Sequence, residues 1–358
     1  MKAIIPVAGS GSRLRPLTLE TPKAMVPVAG KPVLEYLLDQ VTGMGIRDVV
    51  LVVSPSGDAI RRYVDGRDDV EARYVVQQEP LGIGHAVHLC GDLVDDEPLM
   101  VLLGDVIYLS DFAFLAGEPS GNAIGVKRVA GDLSRYGLVE IEDGRITRLV
   151  EKPDRPVSNL AIAGIYRFSS PRPLMEGLET LVSSGRRTRN EYQLTDALQW
   201  MVDQGEHLFP FEVDDWYDCG TPDRLLEANR RLLDLNGGRC DIPGSVIIPP
   251  VDIASDARVH RSVIGPHVAI SSQASVARSV VRDATIGSHA RIENCDLRGS
   301  IVTPHAVLSD TVRRVPAGLA GPGRLNDPDG LDGRGGADGP DDPGVPEDPD
   351  RARCEIFI

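Results

Sequence analysis

No apolar run in the sequence approaches the length of a membrane span, so no membrane association is expected. The start, Met1-Lys2 and a short apolar run, is too brief for a signal-peptide core, and the expected compartment is the cytoplasm. Cysteine is scarce. Cys90, Cys219, Cys240, Cys295 and Cys354 are odd in number and never spaced as CxxC, which argues against a disulfide framework and against a zinc site. Cys354 stands fifth from the end, so a four-residue prenylation box is not matched. Positive charge is also short: the formal net charge is −15. Residues 316–358, with ten acids against four arginines, carry −6 of it. That balance disfavours nucleic acid as a partner while leaving room for a local anion site.

What is present falls into three regimes. Residues 1–236 alternate apolar runs with amphipathic stretches. "DVVLVV" (48–53), "ARYVVQ" (72–77) and "PLMVLLGD" (98–105) read as buried strands. "VLEYLLDQVTGMG" (33–45), "DAIRRYV" (58–64) and "GHAVHLCGDL" (84–93) read as helices between them. That alternation predicts an α/β domain with a mainly parallel sheet covered on both faces. A hairpin with an Asp143-Gly144 turn follows, then helices in "LTDALQWMVDQG" and "PDRLLEANRRLLDLNGG", the last stopped by Gly237-Gly238. From 245 to 315 aliphatic residues recur every five or six positions, from Ile247 through Ile264, Val281 and Leu297 to Leu308. Such a period predicts a left-handed parallel β-helix of about four coils, whereas short strands in a sandwich give no reason for so steady a spacing. The tail, 316–358, holds nine Gly and seven Pro and is expected to be disordered.

The chemistry starts at "VAGSGSRLRPLTLETPK" (7–23). A strand running into a glycine-rich turn can aim successive backbone N–H groups at a phosphate. Spacing excludes two familiar glycine loops: Gly30-Lys31 is followed by Pro32 rather than Ser or Thr, and Leu14 stands where a dinucleotide fingerprint needs its third Gly. What remains is a loop stiffened by Pro16 and Pro22 that carries a forked cation, Arg13, and a point charge, Lys23.

This segment resembles the N-terminal motif of the sugar-1-phosphate nucleotidylyltransferases, the NTP-dependent sugar pyrophosphorylases. The resemblance continues in family order through "QQEPLGIGHAV" (77–87), "LLGDVIY" (102–108), "YGLVEI" (136–141), "EKP" (151–153), "SNLAIAGIY" (158–166), "NEYQLTDALQW" (190–200) and "WYDCGTPDRLLEANRRLLD" (216–234). It spans the whole first region, and the β-helix fits several members. Within the family the chain looks most like the long-form glucose-1-phosphate thymidylyltransferases, with echoes of the UTP–glucose-1-phosphate uridylyltransferases in "GIGHAV", "SNLAI" and "QLTDA". Ser12 stands where Thr is usual and keeps the hydroxyl. Val106 follows Asp105 where thymidylyltransferases often carry Asn, which weakens the choice of dTTP over UTP.

The resemblance implies a Rossmann-like nucleotidyltransferase domain and a Mg²⁺-dependent reaction between a nucleoside triphosphate and a sugar 1-phosphate. It also implies assembly of like subunits, whether or not the β-helix makes those contacts. By the same carry-over, the backbone of Ala8, Gly9, Ser10, Gly11 and Ser12 holds the triphosphate with Arg13, and Lys23 meets the reacting phosphates. Asp105 and Asp218 coordinate Mg²⁺, an ion that takes oxygen ligands and needs few carboxylates. Gln77 and Gly82 match positions that contact the base, with Gln78 an open alternative to Gln77. Gly137, Glu151, Lys152, Tyr166 and Arg189 match the sugar-phosphate end, although Arg189 lies in a basic run that also reads as surface. No histidine is assigned catalysis. His85 and His88 read as structural, and His260, His267, His289 and His305 dot the β-helix, where an acyltransferase would need more coils.

Thymine and uracil differ by one methyl group, about 1 kcal/mol of burial, and a pocket separates one methylene by only about 10–200-fold. dTTP, UTP and, with mannose 1-phosphate, GTP therefore stay open as substrates. A non-catalytic sensor of nucleotide sugars is the competing class; its mark would be loss of the lysine or the aspartates, and all are present.

Overall fold

In a computed structural model the described residues are 1–19, 21–117, 121–314 and 356–357. Two sides of one sheet are built by alternation within its strands. In β1 (Lys2–Pro6) Ala3 and Ile5 enter one core while Ile4 enters the other. In β2 (Asp48–Val53) Val49, Leu51 and Val53 are likewise opposed to Val50 and Val52. Strands buried on both faces read as continuous aliphatic runs, which is why the sequence shows them plainly.

β1 pairs in parallel with β2 and with β4 (Leu99–Leu102), and β2 pairs in parallel with β3 (Glu71–Val76). The chain therefore moves outward from β1 to β2 and β3, then returns to β4 on the other side of β1. Beyond β4 the sheet turns antiparallel, through β9 (Leu160–Phe168) to the hairpin of β7 (Gly137–Glu142) and β8 (Arg145–Glu151). A short strand, β5 (Val106–Tyr108), leaves the sheet, and β6 (Asn122–Arg128) lies beside β9. β10 (Leu208–Glu212) runs parallel to β6, and β11 (Trp216–Asp218) pairs with β5.

Helix α1 (Val33–Gly43) covers one face through Leu34, Leu37, Leu38 and Val41, with α2 (Asp58–Val64) beside it. On the other face α3 (Ile83–His88), α4 (Arg172–Ser183) and α5 (Leu194–Asp203) pack through Val87, Leu178 and Leu198. The helix expected over 84–93 is shorter than expected: α3 stops at His88 and a single 3₁₀ turn, Gly91–Leu93, follows.

α6 (Pro222–Asn236) ends the first region. Gly237 stops it without entering the left-handed region; a Cβ there would collide with the Leu233 carbonyl and with Pro250. The second region stacks its strands in parallel register: Val246, Val263, Val280, Asp296 and Val312 follow one another up one face. Each coil takes sixteen or seventeen residues, slightly under three full hexads, and the stack encloses Ile264, Val281, Ile286, Ile292 and Leu308. The expectation of disorder over 316–358 falls outside the described residues, except that Ile356–Phe357 pair antiparallel with Val302 and Ile301.

The two regions share α6. Its Leu225, Leu226 and Leu232 pack with Leu14 and Val28 of the loop region and with Ile301 of the coils. Arg230 grips Asp283 through two hydrogen bonds of 2.5 and 2.6 Å, and Asp234 meets His267 at 2.7 Å.

Candidate active site

Because the strand order reverses between β1 and β4, the connections leaving their carboxyl ends diverge and open a crevice there, as in other open α/β sheets. The cleft found at that point is about 360 Å³ and is lined by Pro6 to Arg13 on one side and Leu103 to Asp105 on the other. Lys23, Gln77, Gly82, Glu191 and Gly220 are among the residues that also line it.

The loop after β1 leaves the sheet as a run of backbone donors without protein acceptors among the described residues. Val7 still bonds to the neighbouring strand, its N–H reaching Val52 O at 2.8 Å. From Ala8 to Arg13 no backbone N–H has a protein acceptor among the described residues. Gly11 sits at φ +60°, and its carbonyl is held from behind by the Thr18 hydroxyl at 2.7 Å. The chain then closes into a 3₁₀ turn, Ser12–Leu14, with Leu14 buried beneath it and Arg13 exposed. Unpaired amides normally cost free energy unless water or a ligand takes them, so this loop is a ready-made set of donors.

Lys23 and Asp105 line the cleft with it, while Asp218 and Arg224 line a neighbouring hollow and meet the cleft only where Asp218 lies against Gly220. Lys23, in the 3₁₀ turn Lys23–Met25, donates to Asp105 at the start of β5. Asp105 and Asp218 are brought side by side by strand pairing: Asp218 stands across from Val106, and Cys219 N donates to Asp105 O at 2.8 Å. Asp218 accepts from Gly220 N at 2.8 Å with one oxygen and pairs with Arg224 through the other. Gly220 has no room for a side chain. A Cβ there would lie 2.6 Å from Asp218 Oδ1, 3.2 Å from Arg13 Nη2 and 3.4 Å from Lys23 Nζ. Cys219, between the aspartates, is buried, and burial together with both carboxylates pushes its thiol up, so it is not a nucleophile.

Among the described residues no group of three or more His, Cys, Asp or Glu is placed to hold a metal. Two carboxylates beside a loop of free amide donors suit a hard cation that completes its shell with other oxygens, as Mg²⁺ does. The residues present therefore fit that ion.

At the other end of the cleft Gln77 is buried and Gln78 exposed, which separates two residues the sequence left as alternatives. Gly82, at φ +104°, lies against Glu191 and Tyr192, where a Cβ would come within 2.7 Å of Tyr192 O. Tyr192 N donates to Leu81 O, and Gly84 N donates to Tyr192 O, each at 2.8 Å. The 190s segment thus clamps the loop that carries Gly82.

The same segment reaches a second cluster. Thr195 donates to Glu151 Oε2 at 2.7 Å, Lys152 pairs with Glu151 Oε1 at 2.9 Å, and Gly137 packs on both Glu151 and Thr195. Tyr166 is buried nearby, its phenol pushed up by burial and by the Glu151 charge. Arg189 is brought to Lys152, but its guanidinium binds Lys152 O at 2.7 Å and Asp154 at 3.0 Å. These residues do not line the cleft beside β1 and β4; the chain from Glu191 to Thr195 joins the two.

Sequence reasoning passed over two residues of these clusters. Arg224, which holds Asp218 and donates to the Tyr136 hydroxyl at 2.6 Å, and Thr195 both lie inside quoted motifs, yet their types alone give no role. Val106, the departure that weakened dTTP, is buried in the core and does not line the cleft.

The family model described as nucleotidyl transferase matches residues 2–234, and one described as a GlmU-like C-terminal hexapeptide matches 233–309. A glucose-1-phosphate thymidylyltransferase of Streptomyces griseus is 35% identical over 334 residues, 90% of this chain and 92% of that one. A low-salt glycan biosynthesis nucleotidyltransferase of Haloferax volcanii is 36% identical over 244 residues, 65% of this chain and 66% of that one. The solved structure of a UDP-glucose pyrophosphorylase complexed with UDP-glucose superposes with a TM-score of 0.59 at 25% identity, covering 66% of this chain and 99% of that one.

Proposed function

The chain belongs to the nucleotidyl transferase family, among its sugar-1-phosphate members, and we propose that it transfers a thymidylyl group from dTTP to glucose 1-phosphate. The observation that carries this reading is the meeting of a run of unpaired backbone amides, Ala8 to Arg13, with two cations, Arg13 and Lys23, whose side chains converge with the Asp218 carboxylate around Gly220.

An oxygen of the sugar phosphate attacks the α-phosphorus of the triphosphate in line; that P–O bond forms as the bond to the β-phosphate oxygen breaks, and pyrophosphate leaves. Little covalent work falls to the protein, so positioning and charge neutralisation supply the rate. The loop amides hold the phosphate oxygens from behind. Arg13, exposed and with no ion pair among the described residues, is free to fork across them. Lys23 lies beside the reacting centre as a compact charge. Asp105 and Asp218 would hold Mg²⁺, which neutralises phosphate charge when bound. Glu151, kept in place by Thr195 and Lys152, would accept from sugar hydroxyls.

The choice of dTTP and glucose is supported by the Streptomyces griseus relative, which matches over nine-tenths of both chains. UTP is the second reading, supported by the likeness to a UDP-glucose pyrophosphorylase. Pyrophosphate release with dTTP, UTP, GTP and ATP, each against three hexose 1-phosphates in Mg²⁺, tests both. The expected result is the highest kcat/KM with dTTP and glucose 1-phosphate. A clear preference for UTP moves the assignment to a uridylyltransferase, and no turnover with any pair defeats it.

A further inference from the structure

We propose that His85 is a positioning residue for the base-reading amide: it holds Gln77 so that the cleft is offered only an acceptor, which selects nucleotides whose bases carry an imino N–H. This rests on the reading of the cleft as a nucleotide site.

The orientation of the Gln77 amide follows from its partners. Its Nε2 lies 3.1 Å from Gly82 O and 3.0 Å from His85 Nδ1. A backbone carbonyl can only accept, so the amide atom facing Gly82 must be the nitrogen. That nitrogen's second hydrogen then points at His85, and Nδ1 must accept it, which requires a neutral imidazole with its proton on Nε2. Both amide hydrogens are thereby used. Oε1 has no protein partner among the described residues and is not sealed from the surface, on a side chain that lines the cleft.

A lone acceptor discriminates between bases. Thymine and uracil present N3–H, and guanine presents N1–H; the corresponding ring nitrogens of cytosine and adenine are themselves acceptors and would meet Oε1 with two lone pairs opposed. A site whose buried polar group stays unpaired rejects such a ligand more sharply than an apolar pocket rejects a methyl. Were His85 to take a second proton, Nδ1–H would face the amide N–H, and the amide would have to turn, leaving the Gly82 carbonyl opposed by oxygen.

The surroundings keep His85 neutral. Burial against the Tyr192 ring, with centroids 6.2 Å apart, lowers its pKa, and His88 on the same helix and Arg187 on the segment before Tyr192 push the same way. Glu79, on the loop before Gly82, opposes them.

The test is nucleotide binding by titration calorimetry, with dTTP, UTP and CTP, for the wild type, His85→Asn and His85→Leu, each checked by thermal melting. Asn places an acceptor near the Nδ1 position, so His85→Asn keeps the preference for UTP over CTP. His85→Leu loses about fivefold or more of that preference, the worth of one neutral hydrogen bond. In acid the wild-type preference falls while that of His85→Asn holds, a difference that does not depend on the leucine variant folding. An unchanged UTP-to-CTP ratio in His85→Leu, or parallel acid behaviour of wild type and His85→Asn, overturns the proposal. Nucleotide binding with the predicted preference but no transfer to any sugar phosphate would defeat the reaction assigned above and leave this inference standing.

Discussion

Lys23 donates to the Asp105 carboxylate and so ties the proline-stiffened loop after β1 to the chain leaving β4, the two sides of the crevice. The lysine side chain is 12% exposed and the aspartate 34%, which places the pair at the cleft wall rather than in the core.

Lys23→Ala and Asp105→Asn are each expected to lower kcat about 10²–10³-fold, as for loss of one preorganised electrostatic contact. Melting temperatures should move little. Because the two act as a unit, the double variant should lose far less than the product of the single losses. Pyrophosphate release and thermal melting check this, and wild-type turnover in either variant would remove that residue from the mechanism.

Gly220→Ala tests the convergence around that glycine. The added methyl would lie 2.6 Å from Asp218 Oδ1, so the carboxylate must move away from where it faces Arg13 and Lys23. Displacement on that scale costs about a hundredfold in rate. The expected result is loss of kcat with near-normal melting; a variant with wild-type kcat would show that the Asp218 position is not used.

Legibility in the sequence followed burial and periodicity. β2 was placed residue for residue, because a strand covered on both faces has no polar interruptions. The coil stack was visible because each inward residue has one neighbour above and one below. The apolar pattern overstates α3, because Cys90 and Leu93 continue it after the helix has given way to a 3₁₀ turn. Of the residues singled out for their type, Arg13, Lys23 and Asp105 line the cleft, and Asp218 lies against its Gly220. His85 was read as structural because its role depends on which atoms of Gln77 and Gly82 it meets, and no spacing encodes that.

Asp252 gives a pH-dependent prediction. Its Oδ2 lies where a Cβ on Gly30 would, and burial pushes its pKa above the ordinary carboxylate range. A raised folded-state pKa means that the folded chain holds the proton more tightly than the unfolded one. The penalty for ionising Asp252 is thus absent below the unfolded value of about 3.9 and fully present above the folded one. Asp252→Asn should raise the melting temperature at neutral pH, and the gain should vanish as the pH falls towards the unfolded value. A pH-independent change would show that the effect is packing rather than charge.

Asn229 joins the two regions from inside. It is fully buried on α6; its Oδ1 accepts from Ala29 N at 3.0 Å, and its Nδ2 donates to His267 O at 3.3 Å. One amide therefore satisfies the turn between the short antiparallel pair Pro27–Val28 and Lys31–Pro32 and a corner of the coil stack. Asn229→Ala leaves both backbone groups without that partner, a loss of about 1–3 kcal/mol for each group left unsatisfied. Asn229→Asp keeps the bond to Ala29 but turns an oxygen towards the His267 carbonyl and buries a charge, so it should fall further at neutral pH. Thermal melting and urea unfolding measure the order. Turnover well below the melting range should stay near wild type in Asn229→Ala, because Val26 and Val28 are packed in the core between Lys23 and Ala29. A variant that melts like wild type would mean that Ala29 and His267 find other partners and that Arg230, Asp234 and the apolar face of α6 hold the coil stack without Asn229.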